Sequence, residues 1–337
     1  MKSILITGGA GFIGSNFTEL FVKKYSEYNI IVLDKLTYAG NLDNLSKVQN
    51  HSNFSFIQGD ICNKELLQTI FQSESIQGVI HFAAESHVDN SISDPSSFIS
   101  TNIVGTFNLL ETARKVWMEK PFIQKDKYKE ARFLHISTDE VYGSLGIEGF
   151  FTELSPYQPN SPYSASKASS DMLVRSYFHT YGLNVVTTNC SNNYGPNQNK
   201  EKLIPTIIRK ALAEEPIPIY GNGLNIRDWL YVKDHCEAID LVFHKGIKGK
   251  TYLIGGNNEK TNLQIVEMIV LILDNRFPRK NGESYNNLIT FVEDRPGHDV
   301  RYAIDSSKIK NELNWRDTTD FEDGLNYTLN YYTQLSK

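Results

Sequence analysis

Short runs of β-branched and aliphatic residues recur along the first half of the chain, each followed by a longer stretch with apolar residues three and four apart. Ser3–Thr7, Ile30–Leu33, Phe54–Gln58, Gly78–Phe82, Phe133–Ser137 and Val185–Asn189 read as strands buried on both faces. Between them, Ser96–Arg114 and Ser164–Tyr181 are the strongest helical windows. This alternation predicts an α/β fold built on a doubly wound parallel Rossmann sheet. From about Ser191 onward Pro, Gly and Asn become denser (Gly195-Pro196, Pro216, Pro218, Gly221, Gly223), which predicts a second, smaller α/β domain whose loops shape a binding site. The strand-like Thr251–Gly255 and the helical stretch before it return to the first domain. The expected division is therefore discontinuous, 1–190 with 228–255 against 191–227 with 256–337. Trp117–Lys129 is polar enough to be an exposed insertion before the fifth strand.

Composition narrows the partners. With 34 Lys and Arg against 39 Asp and Glu, a net charge of -5 leaves no basic excess for a phosphate backbone, so no nucleic acid is expected. The longest purely apolar run, Met268–Leu273, is far below the ~18 residues of a membrane span, and the chain opens directly into a strand-like segment. Neither a membrane span nor a signal peptide is expected. The three cysteines, Cys62, Cys190 and Cys236, lie too far apart for a disulfide framework of neighbours, which suits a reducing cytoplasm. No His, Cys and carboxylate cluster has ligand spacing, so no metal is expected.

The strongest local signal is the strand, glycine-rich turn and helix start Ile4-Leu5-Ile6-Thr7-Gly8-Gly9-Ala10-Gly11-Phe12-Ile13-Gly14. Glycine lets the backbone turn tightly and approach a pyrophosphate, whose charge the helix N-terminus then meets. The next strand ends at Asp34, where a carboxylate can accept hydrogen bonds from ribose hydroxyls and would repel a 2′-phosphate. That favours NAD over NADP, tempered by neighbouring Lys35. Asp60-Ile61 after the third strand and Ala83-Ala84-Glu85-Ser86 after the fourth should lie at the same edge of the sheet. Asp60 can equally be the N-cap of the following helix.

Tyr163 and Lys167 are four apart on a helix and share one face. Taken alone, such a pair is usually surface decoration. A Lys ammonium and a cationic nicotinamide both favour a phenolate, which can take a proton from a sugar hydroxyl as hydride leaves. The run Ser137-Thr138-Asp139-Glu140-Val141-Tyr142-Gly143 adds two adjacent carboxyls just past a strand end. Once a hexose carries a ketone at C4, its C5 proton is acidic. One carboxylate can then remove that proton while a neighbouring carboxylic acid protonates the departing C6 hydroxyl, and mutual repulsion raises one of the two pKa values.

The glycine turn and the Tyr163-Lys167 pair resemble the extended short-chain dehydrogenase/reductase superfamily over nearly the whole chain. The acidic pair resembles one branch, the dTDP-glucose 4,6-dehydratases. So do Asn189-Cys190-Ser191-Asn192-Asn193-Tyr194-Gly195-Pro196, Glu201-Lys202-Leu203-Ile204-Pro205, Arg227-Asp228-Trp229 and Asp294-Arg295-Pro296-Gly297-His298-Asp299. The resemblance implies an NAD-dependent lyase acting on a nucleotide sugar. Glu140 would be the base at C5, Asp139 the acid at C6, Thr138 a donor to the C4 hydroxyl, and Tyr163 and Lys167 the oxidation pair.

Expected NAD contacts are Gly8, Gly11, Phe12, Ile13, Gly14, Asp34, Lys35, Thr37, Asp60, Ile61, Ala83, Ala84, Ser86, Thr101, Tyr163, Lys167 and Asn193. Expected substrate contacts are Ser86, His87, Thr138, Asn192, Glu201, Lys202, Pro218, Tyr220, Arg227, Asn262, Arg295 and His298. Arg227 and Arg295 suit a diphosphate fork, and Tyr220 suits stacking on a base. The resemblance also implies a homodimer packed through the Ser96–Arg114 and Ser164–Tyr181 helices. Two rivals remain at this level: a UDP-sugar epimerase, decarboxylase or dehydratase of the same superfamily, and a non-catalytic NAD-sensing regulator on the same fold.

Overall fold

The computed structural model describes residues 1–294 and 296–335. Seven strands form one parallel sheet: β1 (Lys2–Thr7), β2 (Tyr28–Asp34), β3 (Phe54–Gln58), β4 (Ile76–His81), β5 (Arg132–Thr138), β6 (Val185–Cys190) and β7 (Thr251–Ile254). Their order is β7-β6-β5-β4-β1-β2-β3. The chain therefore reverses direction of travel between β1 and β4, and the carboxyl ends of those strands open the crevice where ligands bind in such sheets. β1 pairs with both neighbours, Thr7 opposite Leu33 and His81. Beyond it the Gly8 amide donates to the Leu33 carbonyl at 2.9 Å and the Phe82 amide to the Thr7 carbonyl at 2.9 Å, which carries both ladders past the strand end.

The all-apolar strands are explained by helices on both faces. One core joins Ile4, Ile6, Val32 and Ile80 to Phe17 and Phe21 of α1 (Phe12–Lys24) and to Ile239 and Val242 of a later helix, Val232–Lys245. The other joins Leu5, Leu33 and Val79 to α2 (Lys64–Ser73), α3 (Thr106–Trp117) and α4 (Pro162–Tyr181). The helix Val232–Lys245 and β7 thus return to the large sheet.

A smaller lobe follows β6. Strand Ile226–Tyr231 pairs in parallel with Asn192–Tyr194 and antiparallel with Glu259–Thr261, while Ile217–Tyr220 pairs with Ile289–Val292. Helices Leu203–Leu212, Asn262–Arg276 and Phe321–Leu335 share a core with them around Ile207, Ile219, Ile265 and Leu325. Ile309 and Trp315, near the end of the chain, pack back into the core of the large sheet.

Two segments add to expectation. Trp117–Lys129 is exposed over most of its length, as its polarity predicts, but it is anchored: Trp117, Met118 and Tyr128 are buried, and the indole N–H donates to the Ile76 carbonyl at 2.8 Å. Its polar residues line the outside of a short hairpin, Met118–Lys120 with Ile123–Gln124, while these three large side chains close one end of the core. The Ser96–Arg114 helix is interrupted by a wide π turn over Ile99–Gly105. There the Asn102 carbonyl accepts from the hydroxyls of Thr106 and Ser170, both at 2.6 Å. Such bulges break the regular ladder and often stand at sites. Here the turn carries Thr101 into the wall of the crevice.

Candidate active site

The crevice begins at the glycine turn. Gly8 has φ +72°, and a Cβ there would sit 2.5 Å from the Ala83 amide nitrogen. On Gly14 a Cβ would lie 2.1 Å from the Gly8 carbonyl oxygen. Gly11 caps α1 without any side-chain hydrogen bond, leaving first-turn N–H groups and the positive end of the helix for an anion. These features fit a dinucleotide's pyrophosphate. At the end of β2, Asp34 accepts from the amides of Ala10 and Leu36, both at 2.9 Å, and its remaining lone pairs suit ribose hydroxyls. Lys35 pairs with Asp60 at 2.8 Å, so its charge is already partnered within the site and does not mark a 2′-phosphate pocket. Asp60 also accepts from the Cys62 amide at 2.8 Å; the N-cap of α2 is Asn63, not Asp60.

Across the crevice, β5 ends in Thr138 and runs into a tight turn, Asp139–Tyr142. The Thr138 hydroxyl donates to Asp139 Oδ1 at 3.3 Å and accepts from the Glu140 amide at 3.3 Å. Asp139 is 1% exposed, and its Oδ2 has no hydrogen-bond partner among the described residues. Burial, reinforced by the charges of Glu140 and Asp228 and opposed by Arg227 and the Thr138 hydrogen bond, pushes the Asp139 carboxyl up, which favours its neutral form.

Helix α4 supplies the facing groups. Its start is set by the Ser161–Ser164 capping box with Pro162 in the first turn, and its end by Gly182 in the left-handed region. Tyr163 and Lys167 project from its inner face. The Lys167 ammonium donates to the Ile136 carbonyl at 2.8 Å, and burial draws its pKa down. Burial and the nearby Glu140 push the Tyr163 phenol up, opposed by a hydrogen bond with Thr138. In the chain by itself the phenol is held protonated, and a cation against the ring face works in the opposite direction.

The family model described as GDP-mannose 4,6 dehydratase matches residues 5–328. A dTDP-glucose 4,6-dehydratase of Xanthomonas campestris pv. campestris (strain B100) is 52% identical over 332 residues, covering 98% of this chain and 93% of the relative. The chain belongs to the dTDP-glucose 4,6-dehydratase family. Solved members of the family superpose closely. The Bacillus anthracis dTDP-glucose 4,6-dehydratase in complex with NAD is 47% identical with a TM-score of 0.86, covering 99% of this chain and 97% of its own. A Streptomyces venezuelae dTDP-glucose 4,6-dehydratase with NAD bound is 42% identical with a TM-score of 0.88, covering 98% and 97%.

All the expected catalytic and cofactor positions of this dehydratase-family chain line one cavity. So do Ser86, Asn192 and Lys202 among the expected substrate contacts. The structure does not bring His87, Glu201, Pro218, Tyr220, Arg227, Asn262 or His298 into that lining. His87 stands 3.6 Å from Glu201, and Lys202 donates to the Ser86 carbonyl at 2.9 Å. Arg227 is buried, with its guanidinium on the carbonyls of Ile226 at 2.7 Å and Asp299 at 2.9 Å and stacked 4.4 Å from the Tyr302 ring centre. His298 meets Asp294 at 2.6 Å. Arg295 lies outside the described residues.

Reading the sequence missed Ser137, Cys190, Ser191 and Gln198, which also line the cavity. The first three flank the carboxyl ends of β5 and β6, so the strand-end rule that found Asp34 and Ala83 would have found them.

Proposed function

We infer that this chain is an NAD-dependent lyase that converts dTDP-glucose into dTDP-4-keto-6-deoxyglucose by oxidation at C4, loss of water across C5 and C6, and reduction at C6. The observation that carries this reading is the acidic pair at the end of β5, in a family whose solved members hold NAD. One carboxyl, Asp139, is buried with its pKa pushed up, which suits a proton donor, and the other, Glu140, stands beside it and lines the same crevice. Bound NAD supplies a hydride acceptor that later gives the hydride back.

The residues divide the proton work. Tyr163 takes the proton of the C4 hydroxyl, and Lys167 sets the field around it. Thr138 orients that hydroxyl. Glu140 removes the C5 proton once C4 is a ketone, and Asp139 protonates the C6 hydroxyl so that it departs as water. Gly8, Gly11 and Gly14 bring backbone to the pyrophosphate, and Asp34 holds the ribose. Asn192 and Lys202 complete the sugar side, with Arg295 proposed at the diphosphate. A UDP-sugar epimerase has no use for a protonated acid beside a base at this strand end.

Incubation with dTDP-glucose and with UDP-glucose, followed by mass measurement, tests the reading. The expected result is a loss of one water from dTDP-glucose with no net NADH. Stoichiometric NADH release would instead indicate a simple dehydrogenase.

A homodimer is proposed through α4 and the helical segments from Ser96 to Trp117, supported by exposed apolar Ile99, Val104 and Met172 on those elements. Sedimentation gives the mass that checks it. Among the described residues no helix is long and apolar enough to cross a membrane. A cytoplasmic location is proposed from the three free cysteines, and no nucleic-acid partner from the net charge of -5.

A further inference from the structure

Helix α4 carries a third inward polar residue at the spacing of Tyr163 and Lys167. Asp171 is buried, and both its oxygens are occupied. Oδ1 accepts from His135 Nε2 at 3.0 Å; Oδ2 accepts from the Tyr157 hydroxyl and from Asn189 Nδ2, both at 3.0 Å. The same Asn189 amide group donates to the Thr138 carbonyl at 2.9 Å. Strands β5 and β6, the segment before α4 and α4 itself thus converge on one carboxylate behind the Thr138-Asp139-Glu140 turn. Neither Asp171 nor its three partners, His135, Tyr157 and Asn189, lines the cavity.

A buried carboxylate is costly unless donors surround it, and well-packed apolar residues often stabilise a fold as well or better. This one is fully ligated, and its geometry serves something beyond packing. Asn189 uses one amide hydrogen on Asp171 and the other on Thr138, so any rotation of the amide loses both bonds. The Thr138 peptide, and with it the hydroxyl and Asp139, is held in place by that pair. One turn before Asp171 on the helix, the Lys167 ammonium sits on the Ile136 carbonyl, two residues before Thr138.

We infer that Asp171 is a positioning residue for the proton-handling face: its carboxylate holds the Thr138 peptide through Asn189 and is the counter-charge to Lys167. The inference rests on the roles given above to Tyr163, Lys167 and Thr138. The groups acting on Lys167 are Asp171 on α4, His81 on β4, His135 on β5 and Cys190 on β6. Burial holds both histidines neutral and both Tyr163 and Cys190 protonated, so Asp171 supplies the negative charge that opposes the desolvation of Lys167.

Two variants of the holoenzyme separate geometry from charge. In Asp171→Asn the amide oxygen can face Tyr157 and Asn189 while its NH2 group faces His135, whose ring takes the other tautomer; shape survives and charge is lost. Lys167 then releases its proton more easily, so the alkaline limb of the kcat profile should begin about one pH unit lower, with kcat down about ten- to a hundredfold and KM within about twofold. Asp171→Glu should return the limb toward that of the unaltered protein. Asn189→Ser should lower kcat about tenfold with KM and the limb unmoved. An Asp171→Asn protein with an unaltered profile and only a lower Tm would overturn the inference. If that variant does not fold, Asn189→Ser decides: a tenfold loss of kcat supports the inference, and an unaltered kcat overturns it. Tyr163→Phe is measured alongside. Its turning over dTDP-glucose normally would remove the functional reading itself, whereas an inactive Tyr163→Phe beside an unaltered Asp171→Asn removes only the role of Asp171.

Discussion

The two sides of the crevice are built from different materials. On the side of β1 to β4 the proposed NAD contacts are largely backbone: a turn that only glycine permits, an uncapped helix start, and short loops leaving parallel strands. On the side of the smaller lobe the proposed contacts are side chains carried mostly on short strands and helix starts, and their directions depend on distant partners. Arg227 shows the difference. Sequence context offers it to a diphosphate, and in the fold its guanidinium rests on the carbonyls of Ile226 and Asp299. A backbone-built site is readable because the conformation that binds is the one the local residues require. A side-chain-built site is decided by whichever acceptor comes nearest after folding.

If that contrast is sound, injury to the first side should be all-or-none. Gly14→Ala places a methyl 2.1 Å from the Gly8 carbonyl oxygen, a contact no rotamer relieves. The expected outcome is loss of bound NAD together with all turnover, read from nucleotide released on denaturing the purified protein. Retained NAD would mean the turn can open, and the contrast would weaken.

Between the two sides, the acidic pair should divide by step. Glu140→Gln cannot accept the C5 proton, so added substrate should still give bound NADH absorbance while C5 exchange with deuterated solvent and water loss both stop. Asp139→Asn keeps the base and should slow elimination about 10²- to 10⁴-fold with exchange persisting. Exchange at the native rate in both variants would remove Glu140 from the role of base.

Asp139 also ties the site to stability. Its folded pKa lies above its unfolded value, so the stabilising contribution is full below the unfolded pKa and is lost as pH rises through the folded one. Asp139→Asn removes that loss, and its Tm should exceed that of the unaltered protein by about 2–4 °C at pH 7, converging toward pH 4. A lower Tm at pH 7 would show that the carboxyl is better satisfied than its partnerless Oδ2 indicates.

The smallest effect is expected farthest from the glycine turn. Tyr220 is 42% exposed at the end of its strand and lies outside the cavity lining. If it stacks on the base when substrate is bound, Tyr220→Ala should raise KM for dTDP-glucose by about tenfold or less without changing kcat, consistent with ~1 kcal/mol of aromatic contact. An unchanged KM would show that this part of the lobe does not reach the nucleotide.

What was legible along the chain was what short stretches of it dictate. All-apolar runs give the strands, glycine spacing gives the turn, and helical spacing puts Tyr163 and Lys167 on one face, because neighbouring residues alone set those geometries. Averaging over a polar window hid Trp117, whose indole needed a carbonyl from β4 before its burial made sense. The same spacing that revealed two residues of α4 passed over Asp171, since nothing local shows that His135, Tyr157 and Asn189 will converge on it. Nor does any local pattern show that Lys167 will turn to the Ile136 carbonyl, or that Asp139 will lose its solvent and have its carboxyl pushed up. Desolvation and hydrogen-bond partnership are properties of segments brought together from across the chain. They came into being only when β5, β6 and α4 packed against one another, and with them the difference between a pair of acidic residues and an acid beside a base.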